Sequence, residues 1–153
     1  MYKVLIICTH NSARSQMAEA YLQQMGGENF QVQSAGFEPG PINPDVIKVL
    51  LENGIDISAK SSQKVFDLFQ QGRIFDFVIT ICEQGEDRCP IFPGLTQRLH
   101  LPFPDPSQVS GDEEHRLNKI RDIRDGIKEK MQEFKNWVES AERSSLSQQW
   151  VFK

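Results

Sequence analysis

The chain opens on an unbroken apolar run, Val4-Leu5-Ile6-Ile7-Cys8. Without polar alternation, such a run predicts a strand buried on both faces, over Lys3–Cys8. Thr9–Ser12 are small and polar and read as a loop. From about Ala13 to Met25, the positions Met17, Ala18, Tyr21, Leu22 and Met25 recur at spacings of three and four, the buried face of a helix that Gly26-Gly27 ends. Gln31–Ala35 predicts a second short strand, followed by a turn-rich loop over Gly36–Pro44. Asn43 is placed to cap a helix with Pro44 at its first position, with Val46, Ile47, Leu50 and Leu51 as its buried face and Gly54 as its stop. A short helix over Gln63–Gln70, a continuous apolar strand over Phe75–Cys82 and a weaker strand over Arg98–Leu101 come next, the last ended by Pro102, Pro104 and Pro106. The strongest periodicity belongs to the final helix, where Leu117, Ile120, Ile123, Ile127, Met131, Phe134 and Trp137 step by three or four. That stripe reads as a core face on a sheet rather than as a partner groove.

Strands alternating with helices predict an α/β fold, a parallel sheet covered on both faces. The 153 residues fit one domain, over residues 1–140. A tail over residues 141–153 is rich in Ser, Gln and Glu and carries Trp150, Val151 and Phe152 near its end. In such sheets ligands bind at the carboxyl ends of the strands. Cys8, Cys82 and Asp105 all fall at or just past those ends, so topology gathers on one edge three groups far apart in sequence.

The net charge of −4 argues against a general nucleic-acid or membrane-surface binder, so any anion site must be a local feature. The run Val4–Cys8 is too short for a signal peptide and no segment is long enough to span a bilayer. The expected compartment is the cytoplasm, where thiols stay reduced. The three cysteines, Cys8, Cys82 and Cys89, are an odd number that does not suit a permanent disulfide framework. With His10, His100 and His115 at no zinc-like spacing, no metal site and no cofactor are expected.

The segment Cys8-Thr9-His10-Asn11-Ser12-Ala13-Arg14-Ser15 sits between a strand and a helix. Such a loop can turn its backbone N–H groups inward as an anion-binding nest, and the helix behind it adds orphan N–H groups and a positive dipole end. Arg14 can grip two oxygens of a tetrahedral anion with its planar fork. The same donors favour a thiolate at Cys8, Ser15 can donate to that sulfur, and Asn11 tolerates the left-handed backbone of a tight turn. The plainer alternative is a structural cysteine at a strand end, but strand, small polar loop and amphipathic helix occur in the order that a nucleophile requires. His10 reads as an exposed loop side chain rather than a base.

This loop resembles the signature of the low-molecular-weight protein tyrosine phosphatases and of the arsenate reductases that share their fold. The stretch Cys8–Ala20, CTHNSARSQMAEA, looks like the thioredoxin-coupled reductases, and the resemblance covers about residues 3–138. It implies a three-layer fold with a four-stranded parallel sheet, order 2-1-3-4, flanked by helices. It implies that Cys8 attacks arsenate (or a phosphate or sulfate analogue) held by residues Thr9, His10, Asn11, Ser12, Ala13, Arg14 and Ser15. Cys82 and Cys89, in Thr80–Pro90, match the family's second and third cysteines, which carry a disulfide outward to thioredoxin. The residues alone also allow one buried and one incidental exposed cysteine. Asp105, stiffened between Pro104 and Pro106, matches the general acid. The alternative activity is hydrolysis of phosphate monoesters, which needs Cys8, Arg14 and Asp105 alone. Ser107-Gln108 stand where the tyrosine phosphatases usually carry aromatic residues. A non-catalytic redox switch is a third reading, and glutaredoxin with glutathione is an alternative donor. Ala13 and His10 depart from the reductases, which often have cysteine and glycine there. Some reductases bind potassium beside the loop; Asn11, Glu19 and Ser34 match that site, Gln63 replaces its aspartate, and Lys60 or Lys64 is placed to supply the missing charge.

Overall fold

The computed structural model describes residues 1–81, 91–94 and 96–140. The opening apolar run forms β1, Tyr2–Cys8. Val4, Leu5, Ile6 and Ile7 are all fully buried, as a strand covered on both faces demands. Then follow α1 (Arg14–Gly26), β2 (Phe30–Gly36), α2 (Pro44–Leu51), α3 (Val65–Gln70), β3 (Phe77–Thr80), β4 (Gln97–His100) and α4 (Glu113–Glu139). The four strands form one sheet in the order β2-β1-β3-β4. All three pairings are parallel, with Cys8 opposite Gly36 and Ile7 opposite Thr80.

Local signals place most boundaries where the sequence expects them. Asn43 Oδ1 accepts from Asp45 N at 2.9 Å, capping α2 behind Pro44. Gly27, just past α1, takes a positive φ of 54°, a backbone open to glycine and strained for other residues. Three expectations are corrected. The third strand is shorter than Phe75–Cys82, because its pairing with β4 spans only Phe77 to Thr80; Ile81 N still donates to Ile7 O at 2.9 Å. In α2 the buried residues are Val46, Val49 and Leu50, while Leu51 is exposed and Ile47 half-buried. In α4 the stripe runs Ile120, Arg124, Ile127, Met131, Phe134 and Val138, with Leu117, Ile123 and Trp137 packed at its flanks. Arg124 is tolerated there because its head is partnered: Nη1 donates to Val49 O and to Glu52 Oε1, each at 2.8 Å, and Nε donates to Asp125 Oδ1 at 2.8 Å.

Phe77 of β3 meets Phe134 edge-on at 5.2 Å between ring centroids and Trp137 at 5.9 Å, seating α4 on the sheet. Among the described residues, no helix is long and apolar enough to cross a membrane. The expected tail over residues 141–153 and the cysteines Cys82 and Cys89 lie outside the described residues.

Candidate active site

Between the end of β1 at Cys8 and the start of α1 at Arg14, the chain turns back through Asn11, whose φ is 53°. The segment after β2 shapes this loop from outside. Phe37 N donates to Cys8 O (3.3 Å), Glu38 N to Thr9 O (2.8 Å), Gly40 N to His10 O (3.0 Å) and Asn43 N to Ser12 O (2.9 Å). In a planar trans peptide the N–H points opposite to the carbonyl. Carbonyls pulled outward therefore turn the amides of Thr9, His10, Asn11 and Ala13 inward, the arrangement of an anion nest. Asn11 N shows the result directly, lying 3.2 Å from Cys8 Sγ.

This close wall explains a residue that the sequence reading treated only as the start of a loop. A Cβ on Gly36 would sit 2.8 Å from Asn11 N and from His10 C, and 2.9 Å from Thr9 O. These are backbone atoms, so only glycine lets the end of β2 lie beside the loop. The signal in the sequence was a glycine directly after an apolar strand end at Ala35.

Cys8 is buried, with Sγ 2.9 Å from Ser15 Oγ. Asn11 Nδ2 donates to that same Ser15 oxygen at 2.7 Å. The orientation of the Asn11 amide follows from Gln63 N, a backbone donor 2.9 Å from Asn11 Oδ1. Ser15 Oγ thus accepts from Asn11 and has its own proton free for the sulfur. Two donors, Asn11 N–H and Ser15 O–H, converge on Cys8 Sγ.

The support continues behind the loop. Asn11 Nδ2 also donates to Ser34 Oγ (2.8 Å), and Ser34 Oγ donates to Glu19 Oε1 (2.7 Å). Lys60 Nζ donates to Glu19 Oε2. Of the two lysines that the sequence offered for a positive charge here, Lys60 is the one on Glu19. Gln63 Nε2 donates to Ser34 O at 3.2 Å. Among the described residues no group of three His, Cys, Asp or Glu side chains is placed to hold a metal ion.

Arg14 is 6% exposed and lies on the opposite side of the nest from this network. Its Nη1 donates to Phe103 O at 3.1 Å and its Nη2 stands 3.7 Å from Asp105 Oδ2. Asp105 comes from the segment that follows β4, held by Leu101 N on Thr80 O (2.7 Å) and Phe103 N on Ile81 O (3.0 Å). Its Oδ1 accepts from Ser107 N (2.9 Å) and Ser107 Oγ (2.8 Å). Oδ1 is thereby occupied, and Oδ2 is the oxygen that faces Arg14.

His10 is exposed with Nδ1 2.9 Å from Glu38 O, the loop side chain that the sequence suggested. Thr9 and Ser12 are half-buried on the same loop and Ala13 is buried. Cys8, Asn11, Arg14 and Ser15 thus share one loop, and the segment after β4 brings the distant Asp105 to it. Ile81, which precedes Cys82, is bonded to β1 beside Cys8; Cys82 and Cys89 themselves lie beyond the described residues.

A family profile described as low molecular weight phosphotyrosine protein phosphatase matches residues 3–146. An arsenate reductase of Bacillus subtilis is 37% identical over 132 residues, covering 86% of this chain and 93% of the relative. A solved structure of an arsenate reductase in the phosphate binding state superposes with a TM-score of 0.74 at 30% identity, covering 90% of this chain and 99% of the other. A thioredoxin-dependent arsenate reductase from Corynebacterium glutamicum has a TM-score of 0.68 at 30% identity, over 88% of this chain and 60% of that one.

Proposed function

The chain belongs to the low molecular weight phosphotyrosine protein phosphatase family, and within it we propose that this protein is an arsenate reductase. The observation that carries the reading is the convergence on Cys8 Sγ of Asn11 N and Ser15 Oγ, beneath a nest flanked by buried Arg14 and by Asp105. The inward amides and the guanidinium fork suit the equatorial oxygens of a tetrahedral oxyanion. The likeness to arsenate reductases, one of them with phosphate bound, supports arsenate as that ion.

The Cys8 thiolate attacks arsenic in line with a leaving hydroxide, and Asp105 Oδ2 gives that hydroxide a proton so that water departs. A covalent arsenic–sulfur adduct remains on Cys8. The Cys82 thiolate then attacks Cys8 Sγ. The arsenic–sulfur bond breaks with its electron pair on arsenic, which becomes arsenite, and Cys8 and Cys82 are left as a disulfide. Cys89 attacks Cys82, frees Cys8 as a thiolate and moves the disulfide to Cys82–Cys89. An external dithiol of the thioredoxin class completes the two-electron cycle, a role supported by the resemblance to the thioredoxin-dependent relative. The cycle requires all three cysteines as thiols at the start, which fits the reducing cytoplasm.

Incubating the reduced protein with arsenate, trapping thiols and mapping the disulfides tests this directly. A Cys82–Cys89 bond, one arsenite per protein, and loss of turnover in Cys82→Ser and Cys89→Ser are expected. Normal arsenate reduction by both variants would end the proposal. The same Cys8, Arg14 and Asp105 support phosphate monoester hydrolysis as a second reading; strong thiol-independent cleavage of an aryl phosphate without arsenate turnover selects it.

A further inference from the structure

Gln16, on the first turn of α1, is 1% exposed and was not among the residues expected to serve the site. Its Nε2 donates to Asn11 O at 3.1 Å and to Asn11 Oδ1 at 3.2 Å. Its Oε1 is buried and has no hydrogen-bond partner among the described residues. An orphaned buried acceptor is unfavourable, and an apolar side chain of equal length would occupy the space without it.

What the amide supplies is found at Asn11. The carbonyls of Cys8, Thr9, His10 and Ser12 are held by backbone donors from residues 37–43, whereas the Asn11 carbonyl takes its hydrogen bond from the Gln16 side chain. Asn11 is also the loop residue in the left-handed region, at a φ of 53°, a backbone that costs energy outside glycine and persists only where its surroundings fix it. The same amide grips both oxygens of Asn11, main chain and side chain. It therefore fixes the Asn11–Ser12 peptide, whose N–H faces away from that carbonyl. It also fixes the turn that sets Asn11 N 3.2 Å from Cys8 Sγ and Asn11 Nδ2 2.7 Å from Ser15 Oγ.

We propose that Gln16 is a positioning residue for the nucleophile and its oxyanion: it holds Asn11 in the left-handed turn that aims donors at Cys8 Sγ and at the bound ion. The proposal rests on Cys8 being the nucleophile. The orphaned oxygen is the stability cost of that placement.

The test uses the full chain carrying Cys82→Ser and Cys89→Ser, so that Cys8 is the only thiol, with and without Gln16→Met. Three quantities are measured: the pH profile of Cys8 alkylation by iodoacetamide, the arsenate concentration that half-protects Cys8, and the melting temperature. With Gln16→Met, the alkylation profile moves to higher pH as donors to the sulfur are lost. Half-protection requires roughly tenfold more arsenate, as the loss of well-aimed hydrogen bonds to an anion predicts. The melting temperature stays level, because methionine removes one orphaned acceptor, Gln16 Oε1, while leaving another, Asn11 O, without its donor; a residue that only filled space would not separate reactivity from stability in this way. Gln16→Leu, which likewise has no proton to give Asn11 and adds no charge, reproduces both reactivity changes and stands in if the methionine variant does not fold. An unshifted profile and unchanged protection in either folded variant overturn the proposal. If the parent with Gln16 intact already alkylates like a free cysteine and arsenate gives no protection, the nucleophile reading itself is what has failed.

Discussion

Arg14 Nη2 stands 3.7 Å from Asp105 Oδ2 while Arg14 Nη1 donates to Phe103 O at 3.1 Å, so one guanidinium spans a carbonyl and a carboxylate of a single short segment. In the proposed reaction, anion grip and proton source are coupled through that segment. The prolines on either side of Asp105, Pro104 and Pro106, limit how far it can move.

Arg14→Lys keeps the positive charge and loses the planar fork. An ammonium cannot contact Phe103 O, Asp105 and two oxygens of an anion at once. The expected result is a fall in kcat/KM for arsenate of about 100-fold or more, with KM raised. Steady-state arsenite production checks this, and near-normal kinetics in the lysine variant would show that charge alone suffices.

Gly36→Ala places a methyl group 2.8 Å from two backbone atoms of the loop. Neither neighbour is a flexible side-chain end, so the loop itself must shift. A destabilisation of roughly 1–3 kcal/mol is expected from such overpacking. Protection of Cys8 by inorganic phosphate should be lost as well. Urea titration and alkylation with and without phosphate measure the two effects; unchanged protection would mean that the wall does not shape the nest.

Glu52 gives the fold an acid-sensitive tie between α2 and α4. Its carboxylate accepts from Arg121 Nη2 at 2.7 Å and from Arg124 Nη1 at 2.8 Å, and these bonds, Arg121's foremost, hold its pKa below the ordinary 4.5. The stabilisation is complete above pH 4.5 and is lost as pH falls through the lower folded-state value. Because the Glu52 side chain is 39% exposed, its worth is about 1 kcal/mol or less. The melting-temperature gap between wild type and Glu52→Gln should hold steady from neutrality to about pH 5 and close in stronger acid. A gap that widens on acidification would contradict the sign.

What a run of residues states by itself is its local geometry. Val4–Cys8 announces a strand buried on both faces, Asn43-Pro44 a helix start, and Cys8–Ser15 an anion loop ahead of a helix, because spacing, caps and turn chemistry act over a few residues. The shared placement of Cys8, Arg14, Ser15 and the left-handed Asn11 on one loop was legible for that reason. Asp105 was legible through topology and resemblance, since parallel strands deliver their carboxyl ends to one edge.

Tertiary packing decided the rest. Gly36 is needed only because β2 runs against the loop, and no neighbour in sequence says so. Arg124 enters the core stripe only because Val49 O, Glu52 and Asp125 meet its head there. Val49 is buried and Leu51 exposed because α2 is rotated to meet α4. Gln16 looks like any polar helix residue until its amide is seen on both oxygens of Asn11. Local pattern follows from the period of the backbone, but the partner of a buried polar group is fixed by which distant segments the packed core brings within hydrogen-bond reach.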